Sequence, residues 1–386
     1  MPSLAVGCPE AILFQGSRSE MLSGFRQALR FSKGWKNEAP GVRESEIEIP
    51  CPGGAVPGTL LLPPTPAASL PGWVTMHGIT RPGRSHPTLL RFVRALAYSG
   101  NAVLVPEVRE WMELDLAPER AARVLKASIL GLAGREEVAE HRLGAIGFSF
   151  GAPQVLLAGS DPDLSAFLRA VVGYGSYAEL EPTLRFMFLG EHELNGTRYT
   201  VDPDPYGRWV VAGNYLSEIS GREDAGDVAH ALLQLARAAG DEQVGAWKDI
   251  YEPLKEELIR DVDPSRKHLF RVLASSGAMK ESEPLAEELI REMARSATRI
   301  SPILDFRSRL GSMRVPVRLI HGRQDRLVPF SQTVRLAENL PPGADARVFL
   351  TGMFGHSQPD AARALLAETG ERIYFTYMMS DILGLL

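Results

Sequence analysis

The chain is poor in cysteine: Cys8 and Cys51 are the only two in 386 residues, far apart in irregular-looking segments, with no C-x-x-C pair. Each reads as an unpaired small residue, not as half of a bridge or a metal ligand. An excess of basic charge is also missing. With 42 Lys+Arg against 47 Asp+Glu the formal net charge is −5, which supplies no basic field for nucleic acid or an anionic membrane. Met1 to Glu10 contains no basic segment leading into an apolar one, so neither an export signal nor an organelle address is visible and a cytoplasmic location is the default expectation. The apolar tail Ile373 to Leu386 carries Asp381 and is too short to cross a bilayer; it predicts a terminal helix docked on the core, with no stable membrane insertion. No internal repeat or low-complexity tract is present. What the chain does have is 45% hydrophobic and 23% charged residues, enough to bury a sizeable core as one large or two modest globular units.

Phe14, Met21, Leu22, Phe25 and Leu29 fall at roughly helical spacing with Arg18, Arg26 and Arg30 between them, predicting an amphipathic helix within residues 11–37. From Glu44 the period changes. Ile47 and Ile49 alternate with Glu46 and Glu48, and Thr59 to Leu62 follows a Pro/Gly-rich turn, as in a hairpin. Beyond Pro63-Pro64, short apolar runs alternate with helical stretches such as Thr88 to Tyr98 and Pro118 to Leu132. That rhythm is the mark of a parallel sheet covered by helices, with strands expected at Trp73 to Met76, Ala102 to Val105, Leu143 to Gly147, Ala170 to Gly173, Val315 to Ile320 and Ala346 to Leu350. It stops over roughly residues 176–305, too long a stretch for a plain loop. This stretch opens irregular and aromatic, through Tyr199, Tyr206 and Trp209, and turns helical at Asp263-Pro264 and again at Pro284. The expected architecture is therefore α/β: a mostly parallel central sheet flanked by helices, with a mainly helical cap inserted. An N-terminal helical extension would take residues 1–43, the core 44–175 and 306–386, and the cap 176–305.

Gly147-Phe148-Ser149-Phe150-Gly151 joins an apolar run to a helix-like stretch, the context of a nucleophile elbow: a strand, a turn tight enough to need glycine on either side of the serine, then a helix. A serine hydroxyl is a weak nucleophile at neutral pH and needs a base, and the base needs an acid to orient it. Asp325 lies in the loop after the strand ending at Ile320, and His356 in the loop after the strand ending at Leu350. Catalytic groups gather at that carboxyl edge of such sheets.

The chain order Ser149, Asp325, His356 is that of the α/β-hydrolases and not of the chymotrypsin or subtilisin types. Over most of residues 44–370 the sequence resembles an α/β-hydrolase of the esterase/lipase type. The resemblance implies a cap between the sixth and seventh strands of the family sheet. It also implies that His77-Gly78-Ile79-Thr80 is the oxyanion turn, with the amides of Ile79 and Phe150 forming the hole; Thr80 is the neighbouring alternative to Ile79. His77, Phe148, Tyr206 and Trp209 are candidate substrate contacts, the aromatics suggesting an apolar acyl pocket. Arg81 and Arg84 read either as solvated loop arginines or as an anchor for a substrate carboxylate or phosphate. Glu191-His192-Glu193 has metal-like spacing only superficially, since neighbours alternate faces on a strand, and neither metal nor organic cofactor is expected. The expected activity is hydrolysis of a small-molecule carboxylic ester through an acyl-enzyme on Ser149. Thioesterase, peptidase, C–C hydrolase or acyltransferase chemistry on the same triad, and a non-catalytic binding role, stay open.

Overall fold

Three glutamates guard one edge of the sheet. Strand β1 (Arg43–Ile49) leaves Glu44, Glu46 and Glu48 in solvent while Ile49 is buried, and it pairs antiparallel with β2 (Val56–Leu62). Charge along an outer strand discourages pairing with another chain. The computed structural model describes residues 18–65, 69–352 and 369–386. In it β3 (Leu70–Met76), β4 (Ala102–Pro106), β5 (Val138–Phe148) and β6 (Leu168–Tyr174) follow, then a separate hairpin, β7 (Glu191–Leu194) with β8 (Thr197–Thr200), and finally β9 (Val317–Gly322) and β10 (Ala346–Thr351). The main sheet has eight strands in the order β1-β2-β4-β3-β5-β6-β9-β10. All neighbours beyond β4 are parallel, and β2 meets β4 antiparallel.

In chain order the longer helices are α1 (Arg18–Lys36), α2 (Pro87–Tyr98), α3 (Pro118–Ala133), α4 (Gly151–Ser160), α5 (Leu180–Leu189), α6 (Pro205–Tyr215), α7 (Gly226–Glu242), α8 (Glu283–Ile300), α9 (Phe330–Glu338) and α10 (Thr369–Leu383). Residues from α1, α2 and α10 pack on one face of the sheet, and residues from α3, α4 and α9 on the other. Covered on both sides, β3 is buried along its whole length, which is why it reads as a continuous apolar run.

Between β6 and β9 the chain leaves the sheet and builds a layer with a core of its own from α5, α6, α7 and α8. Trp209 is fully buried there, its Nε1 donating to the Leu273 carbonyl at 3.1 Å. Beside it the buried Arg208 donates to the carbonyls of Leu273, Ser275 and Gly277. Burial lowers the Arg208 pKa to about 9, and its carbonyl partners supply the hydrogen bonds that a buried cation requires.

The sheet order also fixes where a site can form. The connection leaving β3 runs to β4 on one side, and the one leaving β5 runs to β6 on the other. The crevice between the carboxyl ends of β3 and β5, where Met76 is in register with Gly147, is thus a topological switch point.

Candidate active site

Ser149 occupies the turn between β5 and α4 with φ +52, a left-handed conformation uncommon for a non-glycine residue. Two close approaches force this turn. A Cβ on Gly147 would collide with the Gly151 carbonyl, and one on Gly151 would come within 2.6 Å of the His77 carbonyl. The Ser149 amide donates to the Tyr174 carbonyl at 2.7 Å, and its carbonyl accepts from Ala152 at 2.9 Å. Phe150 is the residue before the first turn of α4, where backbone N–H groups lack intrahelical acceptors and face outward with the positive end of the helix.

The loop after β3 lies directly against the serine. At Gly78 a Cβ would sit 3.0 Å from Ser149 Cβ and 3.4 Å from the Phe148 carbonyl. His77 is 1% exposed. Its Nε2 accepts from the Val108 amide at 3.1 Å, which assigns the ring proton to Nδ1, 2.7 Å from the Gly78 carbonyl. Burial depresses its pKa to about 4, so it is a neutral prop for the loop. Ile79 is half-buried and touches both the sheet core and the insert core. The charges of the two loop arginines are met within the protein. Arg81 pairs with Asp241 at 2.8 Å and donates to the Met112 carbonyl at 2.7 Å, and Arg84 lies between Glu46 and Glu107.

Asp325 follows β9 and is 5% exposed. Its Oδ1 accepts from the amides of Leu327 at 2.8 Å and Val328 at 3.0 Å, and its Oδ2 is 3.5 Å from His321 Nε2. His321, itself buried, is held by the Val328 carbonyl at 2.8 Å and Thr333 Oγ1 at 2.6 Å. Glu179, an acid at the end of the preceding strand's loop, is engaged by Arg307 and Arg335. His356 lies outside the described residues.

The aromatic neighbours of the serine point to opposite faces. Phe148 stacks on Tyr174 at 4.7 Å and meets Phe92 edge-on at 5.1 Å, inside the α2 layer. Phe150 points the other way, between Trp111 at 5.6 Å and Tyr177 at 6.4 Å. Tyr206, opening α6, reaches the Ile79 carbonyl with its hydroxyl at 3.4 Å. Trp209 is fully buried and packs the interior of the insert. Among the described residues no group of three or more His, Cys, Asp or Glu side chains could hold a metal ion.

No protein-family model matches the sequence, and no curated protein does. Solved structures match along most of the chain. Est1E from Butyrivibrio proteoclasticus is 11% identical, covering 87% of this chain and 98% of that one, with a TM-score of 0.47. A Pyrobaculum calidifontis esterase is 16% identical over 95% of this chain and 93% of that one, TM-score 0.47. Brefeldin A esterase, a bacterial homologue of human hormone sensitive lipase, is 15% identical over 97% and 88%, TM-score 0.47. The order of the eight strands, the antiparallel second strand and the strained serine after the fifth decide the architecture. This is the α/β-hydrolase fold.

Two aromatic side chains around Phe150 of this α/β-hydrolase carry no signal in the sequence. Trp111 comes from a short helix, Arg109–Met112, and Tyr177 from the turn after β6. Tyr177 donates to the Leu304 carbonyl at 3.0 Å and so ties that turn to the far end of the insert. No local pattern marks either residue, because each acquires its neighbour through the sheet topology.

Proposed function

We propose that the protein is a serine hydrolase that cleaves carboxylic esters of small, largely apolar acyl groups through an acyl-enzyme on Ser149. The observation that carries this reading is the strained turn, with Ser149 at φ +52 and Gly78 packed against it. Backbone strain at a half-buried serine, beside the N-terminus of α4, is the arrangement that acyl transfer uses.

In this reading Ser149 Oγ attacks the ester carbonyl carbon while its proton passes to His356, whose role rests on its place in the sequence. The oxyanion is held by the amides of Ile79 and Phe150. As the C–O bond breaks, His356 returns the proton to the leaving alcohol; water then repeats the sequence and frees the acid. Asp325 orients the base and stabilises the imidazolium. The rigid grip of the Leu327 and Val328 amides on Oδ1 supports that role. Phe150, Trp111, Tyr177 and Ile79 give the surroundings of the serine their apolar character.

The test is covalent labelling with a small fluorophosphonate, followed by hydrolysis of an ester series. One adduct at Ser149 is expected, and Ser149→Ala should lose both label and turnover, by at least about a thousandfold. An unlabelled protein would turn the reading towards a binding role, and label with no ester turnover would point to another acyl bond.

A further inference from the structure

Two segments of the insert grip two different loops at the carboxyl edge of the sheet, and each segment touches both. The first, at the start of α6, sends Tyr206 Oη to the Ile79 carbonyl at 3.4 Å. Its Asp202 carbonyl accepts from Arg326 Nε at 2.7 Å, and its Asp204 amide donates to the Arg326 carbonyl at 2.8 Å. The second lies at and beyond the end of α7. Its Asp241 pairs with Arg81 Nε at 2.8 Å, and its Trp247 ring lies under the Arg326 guanidinium at 4.1 Å. The loop holding Ile79 and Arg81 is the proposed oxyanion loop; the loop holding Arg326 begins one residue after Asp325.

We infer that Arg81 and Arg326 are positioning residues, through which the insert locks the oxyanion loop and the acid loop into one register. The inference rests on the hydrolase reading for its catalytic consequence. Its physical content is that the insert is a fixed brace and not a swinging lid. A lid would have to break the Arg81–Asp241 pair and lift Trp247 from Arg326 in every cycle. A brace holds the Ile79 amide and the Asp325 carboxylate at a set separation, and a misplacement of about 1 Å can cost a hundredfold in rate. The Arg81–Asp241 pair is partly exposed, so its contribution to global stability is small.

The experiment compares Arg81→Ala, Asp241→Ala, Arg326→Ala and Trp247→Ala with the unsubstituted protein and with Arg295→Ala, which alters an exposed pair on α8. Amide hydrogen exchange is followed over residues 77–83 and 323–329, together with kcat, KM and fluorophosphonate labelling rate. Exchange in the gripped loop should rise at least about tenfold, and kcat and labelling should fall about ten- to a hundredfold with KM within about threefold. Arg81→Ala and Asp241→Ala should be non-additive when combined. Arg81→Lys should recover part of the loss, since an ammonium can still meet Asp241 but cannot also reach the Met112 carbonyl. Arg295→Ala should move nothing. Unchanged loop exchange in the four variants, or additive losses in the Arg81/Asp241 pair, would overturn the brace. A parent protein that takes no label would overturn the hydrolase reading instead, while the exchange data still decide whether the insert holds the loops.

Discussion

His77 is a histidine kept neutral by what surrounds it, and that has a cost in acid. Its pKa is held near 4 by burial, against an unperturbed value of about 6.5 in an unfolded chain. Between these values the unfolded chain takes up a proton that the folded one refuses, so this part of the stability is intact above pH 6.5 and is lost as the pH falls towards 4. By pH 5 the loss at His77 alone should be roughly 2 kcal/mol. Urea denaturation at pH 7 and pH 5 should show it, and His77→Gln should flatten the difference; a variant with the parent's pH dependence would put the acid sensitivity elsewhere. The tight turn at Ser149 could be read in the sequence because what constrains it is adjacent, Gly147 and Gly151, whereas the hold of the Val108 amide on His77 could not. The contacts of Tyr206 with Ile79 and of Arg326 with Trp247 could not be, since each joins residues far apart in the chain and neither has a periodic or local signature. For the same reason Arg84 reads as a loop charge near the site, whereas it lies between Glu46 and Glu107.

The sheet elements were legible from period and punctuation. The opening of the insert was not, since the stretch through Tyr199, Tyr206 and Trp209 reads as irregular whereas it forms the β7–β8 hairpin and α6, and the charges the elements bury were not legible either. The run Val315 to Ile320 reads as an apolar strand in spite of Arg318, and β9 forms there, beginning at Val317 because Pro316 has no N–H for a ladder. Arg318 is 2% exposed and Asp381 on α10 is 5% exposed. Asp381 bridges Arg318 on β9 and Arg347 on β10, so the last helix is docked by a buried ion network as well as by its apolar face. The sequence predicts the terminal helix, which forms as α10, but gives no sign of the ion network. Without Asp381 the buried Arg318 keeps only the half-exposed Asp345 as a counter-charge, and removing one partner of a buried pair typically costs 3–5 kcal/mol, whereas replacing both with apolar groups is far milder. Asp381→Ala should accordingly destabilise the protein by about 3 kcal/mol in urea, and the double variant Arg318→Met/Asp381→Leu by clearly less. Equal losses in the two would show that the network contributes packing rather than charge.

Across the whole molecule, the length of the interruption between β6 and β9 announced an insert, but nothing in it announced how firmly the insert is joined to the sheet. Ile79, Phe150 and Met187 pack against both the sheet core and the insert core, so loosening one layer exposes apolar surface of the other. Unfolding is expected to be a single transition, coincident by circular dichroism and by tryptophan fluorescence, which reports on Trp35, Trp73 and Trp111 on the sheet side and Trp209 and Trp247 in the insert. Two separated transitions would mean that the insert folds as a unit of its own. A different coupling joins the beginning of the fold to its end. Phe31 on α1 is completely buried, and part of its cover is Phe375 on α10, with ring centroids 6.0 Å apart. A ribosome adding about 5–20 residues per second would deliver the second ring tens of seconds after the first. Throughout that interval α2 can cover Phe31 only in part, through Phe92, and the rest of its cover waits for the arrival of the final helix.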